Sequence, residues 1–171
     1  MTRRSKPTLF TEPDAFAVDT SSWFTVRSLP DSETVWRRIE RLIKDKRLFT
    51  CPQVIAELRG DPIYRTHIKQ FEKALLAHGI RATNPEFLLA AGVITHDYPA
   101  MSKARSERTP ADPYIVALAQ MQEYVMVADE GKKRINRKIL GACQKLGIRC
   151  ITISQLMQEA QDGETQEEKR G

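Results

Sequence analysis

The sequence predicts an α/β protein in which helices cover both faces of a mostly parallel central sheet. Short apolar runs with the character of buried strands alternate with longer segments of helical periodicity, as in that fold class. The length of 171 residues suits one domain with a sizeable core and is short for two. Two of the apolar runs end in acids, at Asp19 and at Asp129 and Glu130. Since parallel sheets bind ligands beyond the carboxyl ends of their strands, these acids mark a candidate site.

The first half of the chain contains two predicted strands. Residues 1–14 are polar and basic and are predicted to form a flexible arm before one folded domain at 15–160. A buried strand is predicted at 15–18 with a turn at 19–22, and a second strand is predicted at 48–50. Apolar residues at helical spacing, with proline or acidic residues near the starts, predict helices at 31–46, 52–60, 64–78 and 85–94.

The second half of the chain opens with a polar, basic segment at 96–110, which is predicted to be a loop that meets a ligand. Asp112 precedes Pro113 and is predicted to cap a helix that runs to about Glu123. Residues 161–171 are polar and charged and lack apolar side chains, which predicts a disordered tail. The remaining predicted elements are strands at 124–128 and 148–153 and helices at 134–146 and 154–160.

Charge and hydropathy narrow the functional classes. The chain carries 27 lysines and arginines against 22 acids, a net charge of +5, which favours polyanionic partners. It lacks the roughly 18 uninterrupted apolar residues of a membrane span, and no apolar signal run follows its basic start. We therefore expect a cytoplasmic protein without a membrane partner. An odd number of cysteines without a C-x-x-C pair predicts buried free thiols at Cys51, Cys143 and Cys150.

Carboxylates adjoin predicted core residues in four short segments, at Asp19, at Glu57, at Asp112, and at Asp129 and Glu130. Taken singly, each has an ordinary structural explanation as a turn residue, a solvated helix residue or a helix cap. Taken together, buried carboxylates are costly unless they are paired or bind a metal ion. An all-oxygen site of this kind suits Mg²⁺ or Mn²⁺, and waters kept by such an ion can attack a phosphodiester.

Four motifs resemble those of the PIN-like family, which includes the toxins of bacterial and archaeal toxin–antitoxin pairs. Residues 17–22 resemble its strand-end D-S/T-S/T pattern, and residues 52–58 resemble its P-x-x-x-x-E-L/I helix. Residues 111–119 resemble its A-D-x-x-I-A/V-A-x-A helix, and residues 127–130 resemble the strand that ends in T-x-D/E. The resemblance spans about residues 15–157 and is closest to a PIN-like group with A-D-P-F/Y/W and two acids ending the fourth motif.

The resemblance implies a three-layer α/β/α fold and a Mg²⁺- or Mn²⁺-dependent endoribonuclease that hydrolyses RNA phosphodiester bonds. It also implies a toxin, with an antitoxin protein that occupies the cleft and a homodimer. By position, Asp19, Glu57 and Asp112 match the family's metal-binding acids. The fourth acid stays open, because spacing from the strand favours Glu130 whereas residue type favours Asp129.

Roles within the site follow from the same resemblance. We hypothesise that Asp19, Asp112 and one of Asp129 or Glu130 bind the metal ion, while Glu57 completes the cluster and helps to orient the attacking water. Ser21 matches a small hydroxyl residue of the family and is expected to support the cluster through a hydrogen bond. Ala128 departs from the family, which usually has threonine there, and thereby removes one supporting hydroxyl.

Basic residues flank two of the acidic motifs and are expected to lie at the rim of the cleft. Cations in such a position can contact RNA phosphates, which fixes the register of the nucleic acid without reading its sequence. The six RNA-binding candidates are Lys103, Arg105, Arg108, Lys132, Lys133 and Arg134.

Other classes fit the motifs less well. A phosphatase of the haloacid-dehalogenase type needs a second aspartate two positions after the first, where this chain has Ser21. A receiver-like signalling domain needs an acidic pair before the strand-end aspartate and a later strand-borne lysine, and neither is found in the sequence. The stronger alternative is a catalytically weak or inactive PIN-like module that binds RNA or protein, which Ala128 favours.

Overall fold

The structure, a computed structural model, describes residues 14–80, 84–101, 110–130 and 139–168. Within these ranges the strands are β1 (Phe16–Val18), β2 (Leu48–Phe49), β3 (Val125–Val127) and β4 (Cys150–Ile151). The α-helices are α1 (Thr20–Val26), α2 (Ser32–Lys44), α3 (Pro52–Leu58), α4 (Glu72–His78), α5 (Pro85–Asp97), α6 (Asp112–Gln122), α7 (Ile139–Leu146) and α8 (Ile153–Glu168).

The described strands form one sheet in the order β2-β1-β3-β4, and every pair is parallel. Val18 is opposite Val127, and Val127 is opposite Ile151, so the carboxyl ends of three neighbouring strands lie at one edge. Hydrogen bonds continue just past the strands, because the backbone N–H of Asp19 donates to the carbonyl of Val127 at 3.0 Å. Helices flank the sheet, and the prediction of an α/β/α fold with a mostly parallel sheet is confirmed.

The core is apolar on both sides of the sheet. All three residues of β1 and of β3 are buried, as expected of parallel strands covered by helices on both faces. Helix α6 is buried from Ile115 through Ala119, which makes it the central helix of the fold. Trp23 and Trp36 are buried and stack with their ring centroids 6.2 Å apart. Cys51 and Cys143 are buried free thiols as predicted, whereas Cys150 is only partly buried.

The turn predicted at 19–22 is wrong, because helix α1 begins at Thr20. Serine and threonine favour caps and turns over helix interiors, which is why the sequence pattern indicated a turn. Two effects outweigh that preference. Asp19 caps the helix by accepting a hydrogen bond from the backbone N–H of Ser21, and the helix buries Trp23 and Val26 in the core.

Asp112 is not the N-cap of α6, as the sequence predicted, but its first residue. Ala111 occupies the cap position without a side-chain hydrogen bond, and Pro113 stands in the first turn. The helix therefore starts one residue earlier than the capping pattern indicated. An acid in the first turn of a helix, as Asp112 is in α6, is favoured by the helix dipole.

Other helix boundaries also differ from the predictions. The segment predicted as one helix at 64–78 consists of three consecutive pieces. They are a π-helical turn (Tyr64–Ile68), a 3₁₀ turn (Lys69–Phe71) and the helix α4. The segment predicted as a loop from 96 is helical through Asp97 and contains a 3₁₀ turn (Pro99–Met101). Residues 102–109 and 131–138, which include parts of the predicted loop and of the predicted helix at 134–146, lie outside the described residues.

The last helix runs through Glu168, so the predicted domain boundary at 160 falls inside α8. Glutamine and glutamate are good helix formers, and a helix that is already nucleated continues through them. Residues 1–13 of the predicted arm lie outside the described part of the chain. Among the helices that the structure describes, none has both the length and the apolar character needed to cross a bilayer.

Candidate functional site

Asp19 lies at the carboxyl end of β1 and is 4% exposed. One oxygen, Oδ2, accepts hydrogen bonds from the backbone N–H of Ser21 at 3.0 Å and from its hydroxyl at 2.7 Å. The other oxygen, Oδ1, is buried without a hydrogen-bond partner. A buried carboxylate oxygen in this state is costly unless a cation or a donor reaches it.

Burial raises the pKa of Asp19 above its usual range. The hydrogen bonds from Ser21 act in the opposite direction, and the nearby charge of Glu57 raises the pKa further. A bound cation would reverse the dominant effects, because it favours the ionised carboxylate that burial and Glu57 disfavour.

Glu57, on helix α3, joins two parts of the site. Its Oε2 accepts a hydrogen bond from the hydroxyl of Thr20 at 2.5 Å, and its Oε1 accepts one from the backbone N–H of Ala111 at 2.9 Å. Thr20 is the residue after Asp19, and Ala111 is the residue before Asp112. Glu57 therefore brings the first turns of α1 and α6, and with them Asp19 and Asp112, to the same place in the fold.

Asp129 follows β3 and is linked to Asp19 through Ser21. The hydroxyl of Ser21 donates to Asp19 and accepts from the backbone N–H of Asp129 at 3.1 Å. The Oδ2 of Asp129 accepts from the hydroxyl of Ser22 at 2.5 Å and from the backbone N–H of Ile153 at 3.1 Å. This agrees with the supporting hydrogen bond predicted for Ser21.

The Glu130 carboxylate contacts helix α7 and not the start of α1. Its Oε2 accepts a hydrogen bond from the backbone N–H of Leu140, in the first turn of the described part of α7, at 3.1 Å. The neighbouring Cys150 thiol and burial raise the pKa of the Cys143 thiol on the same helix, and the charge of Glu130 adds to this. Of the two candidates for the fourth acid, Asp129 is the one joined to Asp19 through a shared serine.

Asp19, Glu57 and Asp129 are linked by hydrogen bonds to the start of α1, but they do not form a ready metal cage. Among the side chains that the structure describes, no group of three acids, histidines or cysteines is arranged to hold a metal ion. Serine, threonine and backbone donors occupy both oxygens of Glu57 and one oxygen each of Asp19 and Asp129. A divalent cation would have to displace some of these donors, whereas the Oδ1 of Asp19 is already without one.

The consecutive hydroxyls of Thr20, Ser21 and Ser22 each donate to a different acid, Glu57, Asp19 and Asp129 respectively. Sequence reasoning assigned a role only to Ser21 and missed the other two. The available signal was the unbroken run of hydroxyl residues directly after a strand-end acid.

Cys51 and Thr50 are further neighbours of the acids, and the sequence assigned neither of them to the site. Burial raises the pKa of the Cys51 thiol to about 12, and the charges of Asp19 and Glu57 act in the same direction. The thiol therefore stays protonated and is a poor nucleophile at neutral pH. The hydroxyl of Thr50 donates to the carbonyl of Val18 at 3.0 Å and thereby fixes the end of β1 beside the start of α3.

All the predicted RNA-binding cations lie outside the described residues, and their roles stay predictions. They are Lys103, Arg105, Arg108, Lys132, Lys133 and Arg134.

Comparison with known protein families gives a match over most of the chain. The family described as "Domain of unknown function (DUF4411)" matches residues 28–162, which is most of the chain. The matched region contains Glu57, Asp112, Asp129 and Glu130, and it begins after β1 and Asp19. A search of curated proteins finds no match.

Proposed function

The chain belongs to the DUF4411 family, and we propose that it is a Mg²⁺- or Mn²⁺-dependent endoribonuclease that hydrolyses RNA phosphodiester bonds. One observation carries the proposal. The Oδ1 of Asp19 is a buried acidic oxygen without a hydrogen-bond partner, at the sheet edge where Glu57 and Asp129 also lie. A divalent cation is the partner that this oxygen lacks.

The donor set fits a hard cation, because it consists of carboxylate oxygens. We assign direct or water-mediated binding of the cation to Asp19, Asp112 and Asp129. Glu130 is the less favoured fourth acid because its Oε2 is held by the backbone of Leu140. When bound, such an ion lowers the pKa of a coordinated water and stabilises the charge that develops on the phosphate.

The chain's own residues position and orient the groups of this site. The Ser21 hydroxyl holds Asp19 against the backbone of Asp129, so that two acids keep a fixed spacing. Glu57 is the residue we expect to orient the attacking water, by exchanging its hydrogen bond from Thr20 for one from that water. Ser22 supplies Asp129 with a hydroxyl partner, which compensates for alanine at position 128.

RNA as the substrate is supported by the net charge of +5 and by the resemblance to the PIN-like family. The same resemblance is the basis for proposing a cytoplasmic toxin with a protein antitoxin that inserts a basic side chain among the acids. The cluster presents several negative charges at the end of the sheet, which suits a lysine or arginine from such a partner.

A second copy of the chain is the partner we propose for the outer face of α5. Leu88, Leu89 and Val93 are 44%, 71% and 53% exposed, and a Cβ on Gly92 would meet nothing within 4 Å. Antiparallel pairing of two copies about the middle of α5 would set Leu89 against the partner's Val93. It would also set Glu86 against the partner's His96, whose imidazole N–H can donate a hydrogen bond to that carboxylate.

The experiment that tests the proposed function compares purified wild type with Asp112→Ala on RNA. We expect wild type to cut with Mg²⁺ or Mn²⁺ and to stop in EDTA, and the variant to lose activity by about two orders of magnitude or more. Glu33→Ala removes an acid that is 85% exposed on α2 and serves as the control with wild-type activity. Sequencing of RNA ends after induced expression locates the cut sites.

Two results would overturn this assignment. If Asp112→Ala cuts RNA at the wild-type rate, the acids of this site are not the catalytic residues. Metal-independent binding of RNA by wild type without any cutting would instead identify an inactive binding module, the alternative that alanine at position 128 favours.

A further inference from the structure

Helix α3 carries a second buried acceptor oxygen without a hydrogen-bond partner, the Oε1 of Gln53. Among the described residues, three buried side-chain polar atoms lack such a partner: Asp19 Oδ1, Gln53 Oε1 and Trp23 Nε1. The indole of Trp23 stacks on Trp36 of α2. The other two atoms are both acceptors, and buried acceptors without donors are rare in folded proteins.

Gln53 lies on the side of α3 that faces the acids. It precedes Glu57 by four residues, so the two side chains share one face of the helix, one turn apart. Glu57 contacts Thr20 and Ala111 from this face. Cys51, at the start of the same helix, is close enough to Asp19 and Glu57 for their charges to act on its thiol.

The start of α3 is also held beside the end of β1. The hydroxyl of Thr50 donates to the carbonyl of Val18, so the chain enters α3 directly beside the residue that precedes Asp19. Gln53 is in the first turn after this contact. Two unpartnered oxygens, one from an acid and one from an amide, are thus placed around one end of the sheet.

We propose that Gln53 is a further oxygen ligand of the divalent cation, either directly or through one of the ion's waters. The inference rests on the proposed function, because it takes the cation bound by Asp19 as given. Side-chain amide oxygens are ordinary ligands of hard cations, and Mg²⁺ keeps several waters that need acceptors such as this one. The PIN-like motif at residues 52–58 specifies a proline and an acid but leaves position 53 open.

Thermal unfolding across a MgCl₂ titration tests the assignment without reference to catalysis. For Gln53→Leu in EDTA we expect a Tm equal to or above that of wild type, because a buried amide oxygen without a partner is replaced by an apolar group of similar size. The Mg²⁺ concentration for half-maximal stabilisation should rise about tenfold. Gln53→Glu keeps an oxygen and adds a charge, so its Mg²⁺ midpoint should match wild type or fall below it.

Control variants separate the possible failures. Gln120→Leu changes an exposed glutamine on α6 and should titrate as wild type. Asp19→Asn should lose the Mg²⁺ response; if wild type has none either, the proposed function itself fails. If wild type and Asp19→Asn behave as expected and Gln53→Leu titrates as wild type, only the role of Gln53 is overturned. A fall in Tm of Gln53→Leu in EDTA would also overturn it, by showing that the amide makes a structural hydrogen bond.

Discussion

The Oε1 of Glu57 accepts a hydrogen bond from the backbone N–H of Ala111 at 2.9 Å, across 54 positions of sequence. Ala111 is 0% exposed, so its N–H has no access to water as an alternative partner. This contact fixes where α6 begins and therefore where Asp112 stands. A carboxylate that the sequence marked as catalytic is thus also a structural link between two helices of the site.

Replacing Glu57 should reveal both roles. Glu57→Ala leaves the Ala111 N–H and the Thr20 hydroxyl without their acceptor, which should cost about 1–3 kcal/mol in the free energy of unfolding. Glu57→Gln keeps one amide oxygen for Ala111 and should recover part of that stability without recovering RNA cleavage. Urea denaturation and a cleavage assay on the two variants give the comparison, and equal stability of Glu57→Ala and wild type would contradict the structural link.

The pKa of Asp19 predicts an unusual pH dependence. Its folded-state pKa is raised above the ordinary value of 3.8, so the folded protein binds this proton more tightly than the unfolded chain. The resulting stability is fully present below the ordinary pKa and is lost as pH rises through the folded-state pKa. Asp19→Asn cannot ionise, so in EDTA its stability relative to wild type should grow as pH rises above 3.8 and then level off.

Saturating Mg²⁺ should reverse this order at neutral pH, because only wild type gains the stabilisation of a bound cation. The measurement is the free energy of unfolding of both proteins at several pH values, with EDTA and with MgCl₂. A difference between the two proteins in EDTA that does not change with pH would show that Asp19 is not destabilised by burial.

The fold class and the position of the candidate site in the fold were predictable because they depend on strong, local patterns. Short apolar runs ending in acids placed Asp19 and Asp129 at one sheet edge, and the structure has both there. Helix α1 was not predictable, because Thr20, Ser21 and Ser22 have weak helix propensity, which the cap by Asp19 and the burial of Trp23 and Val26 outweigh. Tertiary packing overrides local preference at this point.

The choice of the fourth acid depended on contacts that sequence spacing does not contain. Asp129 and Glu130 are adjacent, and only the positions of Ser21 and Leu140 show that their carboxylates contact different elements. The position of Gln53 was equally hidden, since a glutamine in the first turn of a helix is ordinarily solvated. Its significance comes from the Oε1 atom, which is buried without a hydrogen-bond partner, and that is a property of the packed fold.

Gly79 should tolerate no side chain. A Cβ built there would stand 2.8 Å from the backbone carbonyl oxygen of Thr50, which is closer than real Cβ contacts allow. Gly79→Ala should therefore destabilise the protein by about 1–3 kcal/mol through local displacement of β2 and α4. Gly60→Ala is the matched control: its Cβ meets nothing within 4 Å, so the stability should stay near that of wild type. Thermal unfolding distinguishes them, and equal Tm values would contradict the clash.

Reversing the charges at Lys132, Lys133 and Arg134 to glutamate should weaken RNA binding. If these residues contact phosphates, the slope of log affinity against log salt should become shallower by up to about 2, since each single-strand contact contributes about 0.7. A charge-matched variant reverses the exposed lysines at positions 44, 46 and 73 and should leave the slope near that of wild type. Fluorescence anisotropy with labelled RNA at several salt concentrations measures both slopes. An unchanged slope in the first variant would exclude these three residues from phosphate contact.

The exposed face of α5 should decide whether the protein self-associates. Leu89 and Val93 lie one helical turn apart, and Glu86 and His96 extend the same stripe in both directions. Leu89→Asp should dissociate a dimer built on this face, because two carboxylates would be buried opposite apolar residues without partners. Ala77→Asp adds the same charge at an exposed position of α4 and should leave the mass unchanged. Light scattering during size-exclusion chromatography reports the mass.

A wild-type monomer at every concentration would contradict the proposed pairing, and a dimer that survives Leu89→Asp would place the interface elsewhere.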